Sequence, residues 1–355
     1  MSIKQLLIIG LLSIFVTNVA FSAEGPFPGA PLATPATHAD TAKKLTLSTS
    51  GANIVDDEGN IIILKGVVRP SLEWNPQGQR LSVSDIQKMH AWGANTIRLD
   101  LNQNYWFQSG PVTEAGTYKQ IINAIVYYAT QNHMAIILDL HWTENGHQSP
   151  MANKDSLRFW KEVATDYKNF GTVIFELFNE PYGVDKNVWL KGDNQYAGYQ
   201  QLYDVVRATK ADNLIIVNGL DYGYDISFVS DSFNVNGNNI VYGSHPYNEK
   251  GSTQYNGAGG SFNHNFQGVI NKYPLIFTEF GVNEAHYFPT DYKAVYQRTL
   301  SYINDAHISY TAFAWWVDTS NPDIFPDVIK DWNGTPINGG VNIHDDLQAN
   351  PGSHF

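Results

Sequence analysis

Six short segments combine apolar residues with groups that do chemistry. They are Asn95-Thr96-Ile97-Arg98-Leu99-Asp100, Asp139-Leu140-His141-Trp142, Phe178-Asn179-Glu180-Pro181, Ser244-His245-Pro246-Tyr247, Thr278-Glu279-Phe280-Gly281 and Ala314-Trp315-Trp316-Val317-Asp318. Taken singly, each has a structural reading. Arg98 inside an apolar run is costly unless it is paired, and Asp100 or Asp139 would pair it as a core salt bridge. His141 and His245 read as satisfied structural histidines, and Trp315 and Trp316 as core rings. Taken together, they place two carboxylic acids, Glu180 and Glu279, among histidines, an arginine and aromatics. Cleavage of a glycosidic bond needs that equipment. One carboxyl stays protonated and donates to the leaving oxygen, while the other stays ionised and attacks the anomeric carbon. Environment separates the two roles. Arg98 and Tyr247 are the candidates for holding Glu279 ionised, and Asn179 for donating to a sugar 2-hydroxyl.

Such a set must be gathered by a scaffold, and the rest of the chain suggests which one. Eight continuous apolar runs, Ile62–Val68, Ala94–Leu101, Ala135–His141, Val173–Asn179, Leu214–Leu220, Ile240–His245, Leu275–Phe280 and Tyr310–Trp316, have the character of strands covered on both faces. Segments with helical spacing lie between them: Ser84–Trp92, Tyr118–Thr130, Ser156–Phe170, Tyr196–Lys210 and Tyr292–Asp305. Eight strands alternating with helices predict an α/β fold, a (β/α)8 TIM barrel, with its active site at the carboxyl ends of the strands. The short apolar pieces around Leu45–Ser48, Asn53–Asp56 and Ile61–Leu64, with Glu58-Gly59-Asn60 between the last two, predict an N-terminal β-hairpin ahead of the barrel. A doubly wound open sheet is the rival, but no Gly-x-Gly-x-x-Gly follows the first strand.

Composition narrows the function classes. The chain has 355 residues, 22 Lys+Arg against 34 Asp+Glu, and no basic run, which argues against a nucleic-acid partner. With no cysteine, disulfides, thiolate metal sites and a cysteine nucleophile are all excluded. Nine Trp, 20 Tyr and 18 Phe are more rings than a core of this size demands, and flat rings suit pyranose faces. Trp74, Trp106, Trp142, Trp189, Trp315 and Trp316 fall near predicted strand ends and are expected to touch sugar, whereas Trp92 and Trp160 fall on helices and are expected in the core. Residues 1–22 carry Lys4, an apolar run from Leu6 to Val16 and Ala20-Phe21-Ser22, the layout of a cleaved secretory signal. That predicts a secreted protein, extracellular or periplasmic, with no membrane attachment after cleavage. A Pro/Ala/Thr-rich leader over 23–44 and a single catalytic domain over 45–355 complete the expected organisation. His141, Glu144 and His147 lie close in sequence, but a strand running into a loop lacks the i, i+4 helical geometry of a zinc motif. No metal and no cofactor are expected.

From about Leu45 onward the ordered motif set resembles the glycoside hydrolase family 5 cellulases, retaining glycosidases on (β/α)8 barrels. The motifs are Asn95-Thr96-Ile97-Arg98, Leu140-His141-Trp142, Phe178-Asn179-Glu180-Pro181, His245-Pro246-Tyr247, Thr278-Glu279-Phe280-Gly281 and Ala314-Trp315-Trp316. Leu64-Lys65-Gly66-Val67 resembles the family's opening segment, and Asp331-Trp332-Asn333-Gly334-Thr335-Pro336 a tail of some members. The resemblance implies Glu180 as acid/base and Glu279 as nucleophile. It places Arg98, His141, Asn179, His245 and Tyr247 at the remaining core positions. A tryptophan after the eighth strand floors the sugar site, Trp315 by preference over Trp316, and Trp142 lines it. The implied reaction is double displacement with retention, with carboxyl groups ~5–5.5 Å apart. The implied substrate is a β-1,4-glucan cut internally, with mannan and other β-glycans as alternatives within the family. A barrel that binds carbohydrate without cutting it is the alternative of another class. The chain is read as a monomer whose partner is the polysaccharide.

Overall fold

The computed structural model describes residues 27, 45–108, 117–144, 146, 148–247, 260–282, 292–318 and 326–354. The expected signal segment and, apart from Phe27, the leader lie outside these residues. The chain starts with a two-stranded antiparallel hairpin, β1 (Ser48–Ser50) and β2 (Asn53–Val55). Eight parallel strands then close a barrel: β3 (Lys65–Arg69), β4 (Thr96–Asn102), β5 (Ala135–Trp142), β6 (Val173–Glu176), β7 (Ile215–Asn218), β8 (Ile240–Ser244), β9 (Leu275–Phe277) and β10 (Ser309–Ala312). Strand β10 pairs with both β9 and β3, which closes the ring. A small hairpin, β11 (Ile329–Asp331) and β12 (Thr335–Pro336), follows outside the barrel.

The helices are α1 (Val83–Ala91), α2 (Gln103–Phe107), α3 (Tyr118–Gln131), α4 (Asp155–Tyr167), α5 (Lys186–Lys191), α6 (Tyr199–Ala208), α7 (Leu220–Gly223), α8 (Gly260–Ile270), α9 (Tyr292–Asp305) and α10 (Gly339–Ala349). The longer ones bury one apolar stripe against the outside of the barrel. Helix α3 shows why it starts where it does. Thr117 caps the backbone N–H of Gln120, and the Gln120 side chain returns the bond to the Thr117 N–H. Ile121, Ile122, Ile125, Val126 and Ala129 are then buried on one face. No helix among the described residues is long and apolar enough to cross a membrane.

All eight expected strands are present, in the expected order. Several stop earlier than the apolar runs suggest, β6 at Glu176 rather than Asn179 and β10 at Ala312 rather than Trp316. Past those points the chain leaves the ladder and turns into the mouth, so apolar content outlasts strand geometry. The first run behaves differently at its start. Ile62 donates its N–H to the Ile54 carbonyl, so it belongs with the hairpin, and the barrel strand begins only at Lys65.

The barrel interior has an apolar floor. Ile137, Ile174, Ile216, Val241 and Ile276 point inward and pack on Leu47, Ile54 and Ile62 of the hairpin region. The hairpin is thus a plug on the end opposite the expected site. Side chains alternate along a strand, so the next inward residue lies two positions on. Those residues are Asp139, Glu176, Asn218, Gly243 and Thr278, and the floor therefore gives way to a polar layer within one step. Barrel closure also demands close approach at Gly66. A Cβ there would sit 1.8 Å from the backbone oxygen of Thr96 on the neighbouring strand. We therefore expect Gly66→Ala to destabilise the fold by about 2–3 kcal/mol or more, the usual range for overpacking. Urea unfolding of the variant against wild type measures this, and an unchanged midpoint would contradict the close-approach account.

Candidate active site

Strand β4 delivers Arg98 into the polar layer, where it is fully buried. Its Nε and Nη2 grip Glu176 of β6 at 2.6 and 2.9 Å. Nη1 reaches Asp100 at 3.0 Å and Glu279 at 2.7 Å, and Nη2 also reaches Asp139 at 3.0 Å. Four carboxylates from four strand positions therefore converge on one guanidinium. Both readings of Arg98 hold, as a structural ion pair and as the partner of Glu279. Burial alone would push Glu176 upward, but Arg98, with His245 assisting, outweighs it and holds the carboxyl at about 2.

Glu279 follows β9 and is 4% exposed. One of its oxygens takes the Arg98 bond and the other accepts from the Tyr247 hydroxyl at 2.8 Å. Glu180, past the end of β6, is more open. Its Oε1 meets His245 Nδ1 at 2.8 Å, and its Oε2 accepts from Gln148 Nε2 at 2.9 Å. A carboxylate oxygen of Glu180, one of Glu279 and a His245 ring nitrogen all lie within 4.8 Å of one another. The nearest oxygens of the two carboxyls thus lie close to each other and to one ring nitrogen. His245 Nε2 lies 2.9 Å from the Thr278 hydroxyl, so the ring spans from one side of the mouth to the other. Burial lowers the pKa of His245, yet Glu279, Glu176 and Glu180 together outweigh it and raise it above the ordinary value.

Asn179 is oriented by the same arginine. Arg98 Nη2 donates to its Oδ1 at 2.8 Å, so Nδ2 must be the atom facing His141 Nε2 at 3.3 Å. His141 Nδ1 is held by Asp139 at 2.8 Å. Burial would lower the His141 pKa, but Asp100, Asp139 and Glu73 raise it well above the ordinary value. A protonated ring has no lone pair at Nε2, so in that state Nε2–H is a second donor 3.3 Å from the Asn179 amide nitrogen.

The tryptophans divide. Trp315 is fully buried, with its Nε1–H donated to Asp85 Oδ1 at 2.8 Å and its ring against Trp92. It does not floor the mouth. Trp316, the second of the doublet, is the partly exposed ring there. Trp106 and Trp189 are likewise buried, their indole N–H groups bonded to Glu162 and to the Asn218 carbonyl. Trp74 and Trp142 remain partly exposed, as expected, and Trp92 and Trp160 are core. Trp332 on the β11–β12 hairpin joins the exposed set by packing edge-on against Trp316 at 5.3 Å.

Sequence reasoning missed Glu176, Asn218, Gln148 and Glu73. Glu176, like Arg98, is a charged residue inside an apolar strand, and that is its signal in the sequence. Asn218 Nδ2 donates to Glu176 Oε1 at 2.5 Å and to the Asn179 carbonyl at 2.7 Å. Gly243 beside it makes room, since a Cβ there would lie 1.7 Å from Asn218 Oδ1. Two groups could draw a cation by geometry: Glu180, His245 and Glu279, and the buried Glu73, Asp100 and His141, each converging within 4.8 Å. Among the described residues Glu144 joins neither, and His147 lies outside them.

With this geometry in place the chain can be compared with known proteins. The sequence model described as cellulase (glycosyl hydrolase family 5) matches residues 55–319. The chain belongs to this family. It is 27% identical over 266 residues to the cellulase CelDZ1 of a Thermoanaerobacterium species, covering 72% of this chain and 66% of that relative. It is 30% identical over 205 residues to endoglucanase A of Butyrivibrio fibrisolvens, covering 57% and 45%. The chain thus spans less than two thirds of the length of these curated relatives. Its fold is similar to that of the β-glucanase SdGluc5_26A of Saccharophagus degradans solved with cellotetraose, at a TM-score of 0.71 and 23% identity, covering 87% and 94%. An endocellulase of Pyrococcus horikoshii gives 0.71 at 16%, covering 86% and 98%.

The buried carboxyls around Arg98 make a prediction about pH. Burial and the Asp100 charge push Glu73 up to about 8, against 4.5 ordinarily, and burial pushes Asp100 to about 7. A folded-state pKa above the unfolded one means the fold holds a proton that the unfolded chain releases. Their contribution is fully present below the unfolded value and is lost as pH rises through about 7 to 8. Glu176 behaves oppositely. Its contribution is present above 4.5 and is lost as pH falls toward about 2. The melting temperature is therefore expected to be highest in acid, near the ordinary carboxylate values, and to decline from there until about pH 8. Glu73→Gln, which keeps an acceptor for the Ser71 N–H, should flatten that decline. Thermal melts across pH measure it, and a folded variant with the wild-type slope would refute the assignment.

Proposed function

We propose that the chain is a retaining endo-acting glycoside hydrolase that cuts β-1,4-glucan. The observation that supports this best is the close approach of Glu180 and Glu279 over one histidine, with different surroundings for each. Glu279 has both oxygens occupied, by Arg98 and Tyr247, in the fixed posture an attacking carboxylate needs. Glu180 is the more exposed of the two and is hydrogen-bonded by Gln148 and His245. It suits proton delivery to a leaving oxygen and, later, removal of a proton from water.

The steps follow from those roles. Glu279 attacks the anomeric carbon as Glu180 protonates the departing sugar, and the C–O bond to the leaving group breaks. Glu180, now ionised, takes a proton from water, which displaces Glu279 from the covalent glycosyl-enzyme. The neighbouring donors of Asn179 and His141 are complementary to a sugar hydroxyl oxygen beside the reacting carbon. Trp74, Trp142 and Trp316 offer flat surfaces for pyranose faces. Family membership and the similarity to a cellulase and to endoglucanases support a cellulosic substrate over mannan. The N-terminal 22 residues support secretion, and 45–355 is read as the catalytic unit.

Glu279→Gln and Glu180→Gln are each expected to lower turnover on soluble cellulose derivatives by about a thousandfold or more, with unchanged far-UV spectra. Proton NMR of the first product should show the β-anomer. Wild-type-like activity in either variant, or an α-anomer first, would overturn the mechanism. Faster release of reducing sugar from mannan than from carboxymethylcellulose would overturn the substrate.

A further inference from the structure

Arg69 ends β3 and is 1% exposed, yet no step of the chemistry above uses it. Its Nε donates to Asp85 Oδ2 of α1 at 2.5 Å, Nη1 to the Pro70 carbonyl at 2.6 Å and Nη2 to the Gln79 carbonyl at 2.7 Å. The last bond closes the loop that carries Trp74. Above the guanidinium plane lie the rings of Trp332 and Trp316, with centroids 5.0 and 5.7 Å away. Trp316 is the middle member of a row: Trp74 meets it edge-on at 5.3 Å on one side and Trp332 at 5.3 Å on the other. Asp85 turns its second oxygen to the buried Trp315 Nε1–H at 2.8 Å. One ion pair thus touches α1, the loop after β3, the segment after β10 and the β11–β12 hairpin.

We propose that Arg69, held by Asp85, is a positioning residue for glycan binding: it fixes Trp74, Trp316 and Trp332 as one aromatic wall that stacks on sugar faces along the cleft. The inference rests on the carbohydrate-cleaving reading given above and adds Trp332 and the ion pair to it. Edge-to-face contacts hold the indoles to one another, and a flat cation fixes them to the barrel by lying against two rings while its N–H fork ties the third ring's loop. Lysine keeps the charge opposite Asp85 but has neither the plane nor the fork. An arginine acting only as structural glue would alter stability and leave substrate affinity alone.

The test uses Arg69→Lys, Trp332→Ala and the double variant, with cellopentaose as substrate. Arg69→Lys is expected to raise KM about tenfold with little change in kcat, and Trp332→Ala to do the same. Because the arginine works through the ring, the double variant should be no worse than Trp332→Ala alone. Quenching of tryptophan fluorescence by cellopentaose should weaken in parallel. A folded Arg69→Lys with wild-type KM, or additive effects in the double variant, would sink the proposal. Should Arg69→Lys not fold, Trp332→Ala decides, and unchanged KM and quench there overturn it. If the wild type hydrolyses no β-glycan, the function reading falls by itself. The fluorescence titration then still decides this point, with weaker quenching in Arg69→Lys supporting it and equal quenching refuting it.

Discussion

Everything at the mouth of this barrel depends on one buried guanidinium. Arg98 is the common partner of Asp100, Asp139, Glu176 and Glu279, and of the Asn179 amide. Removing Arg98 from such a set leaves buried carboxylates uncompensated, which costs about 3–5 kcal/mol. The arrangement is therefore held more by the penalty for disturbing it than by any single bond. That is what a reacting centre needs, because small misplacements of a nucleophile cost rate steeply. A hydrophobic replacement of the cluster could be as stable, but it could not aim Glu279 or fix the Asn179 amide.

The cluster is affordable only because of what lies beneath it. The isoleucine and valine floor, plugged by the N-terminal hairpin, excludes water from the lower barrel. Directly above, the alternation of strand side chains makes the next layer entirely polar at Asp139, Glu176, Asn218 and Thr278. Carboxylates in that layer outnumber arginine, so some must keep protons. Burial first, and neighbouring carboxylates after it, raise Glu73 and Asp100, whereas the bidentate hold of Arg98 outweighs burial at Glu176 and depresses it. The same strand order that makes the barrel thus sorts carboxyls into ionised and protonated members.

The barrel was legible in the chain because parallel strands buried on both faces leave continuous apolar runs, and these recur eight times. Strand ends were less so. Leu177 and Phe178 are as apolar as Phe175, yet they lie past the regular ladder, and hydrophobicity does not register that. Arg98, Glu180, Glu279 and the histidines were visible because they interrupt or terminate apolar runs. Glu176 carries the same signature and was passed over, since attention to strand ends draws the eye away from strand interiors. The tryptophans were the least legible. Proximity to a strand end does not distinguish Trp316 from its neighbour Trp315. What separates them is where an indole N–H finds an acceptor. Asp85, Glu162 and the Asn218 carbonyl draw Trp315, Trp106 and Trp189 inward, and such partners are distant in sequence.

On the proposed reading, two arginines divide the labour of the cleft. A pyranose presents hydroxyls at its edge and C–H groups on its faces, and the two call for opposite surfaces. Arg98 organises the polar half: carboxylates, an amide and a histidine whose donors and acceptors match hydroxyls and the reacting bond. Arg69, under the proposal above, would organise the apolar half, since its guanidinium lies over the Trp316 and Trp332 rings. Both lie on neighbouring strands, β3 and β4, whose register pairs Arg69 with Leu99 and Val68 with Arg98. Adjacent positions in paired strands point to opposite faces, so one guanidinium enters the barrel while the other turns outward toward α1. A one-residue slip of β3 against β4 would turn Arg69 toward the barrel interior and remove the backing of the indole rings, while Arg98, paired through β5, would keep its direction. The register of this single strand pair therefore decides which way Arg69 faces, and the close approach at Gly66 is one of the contacts that fixes it.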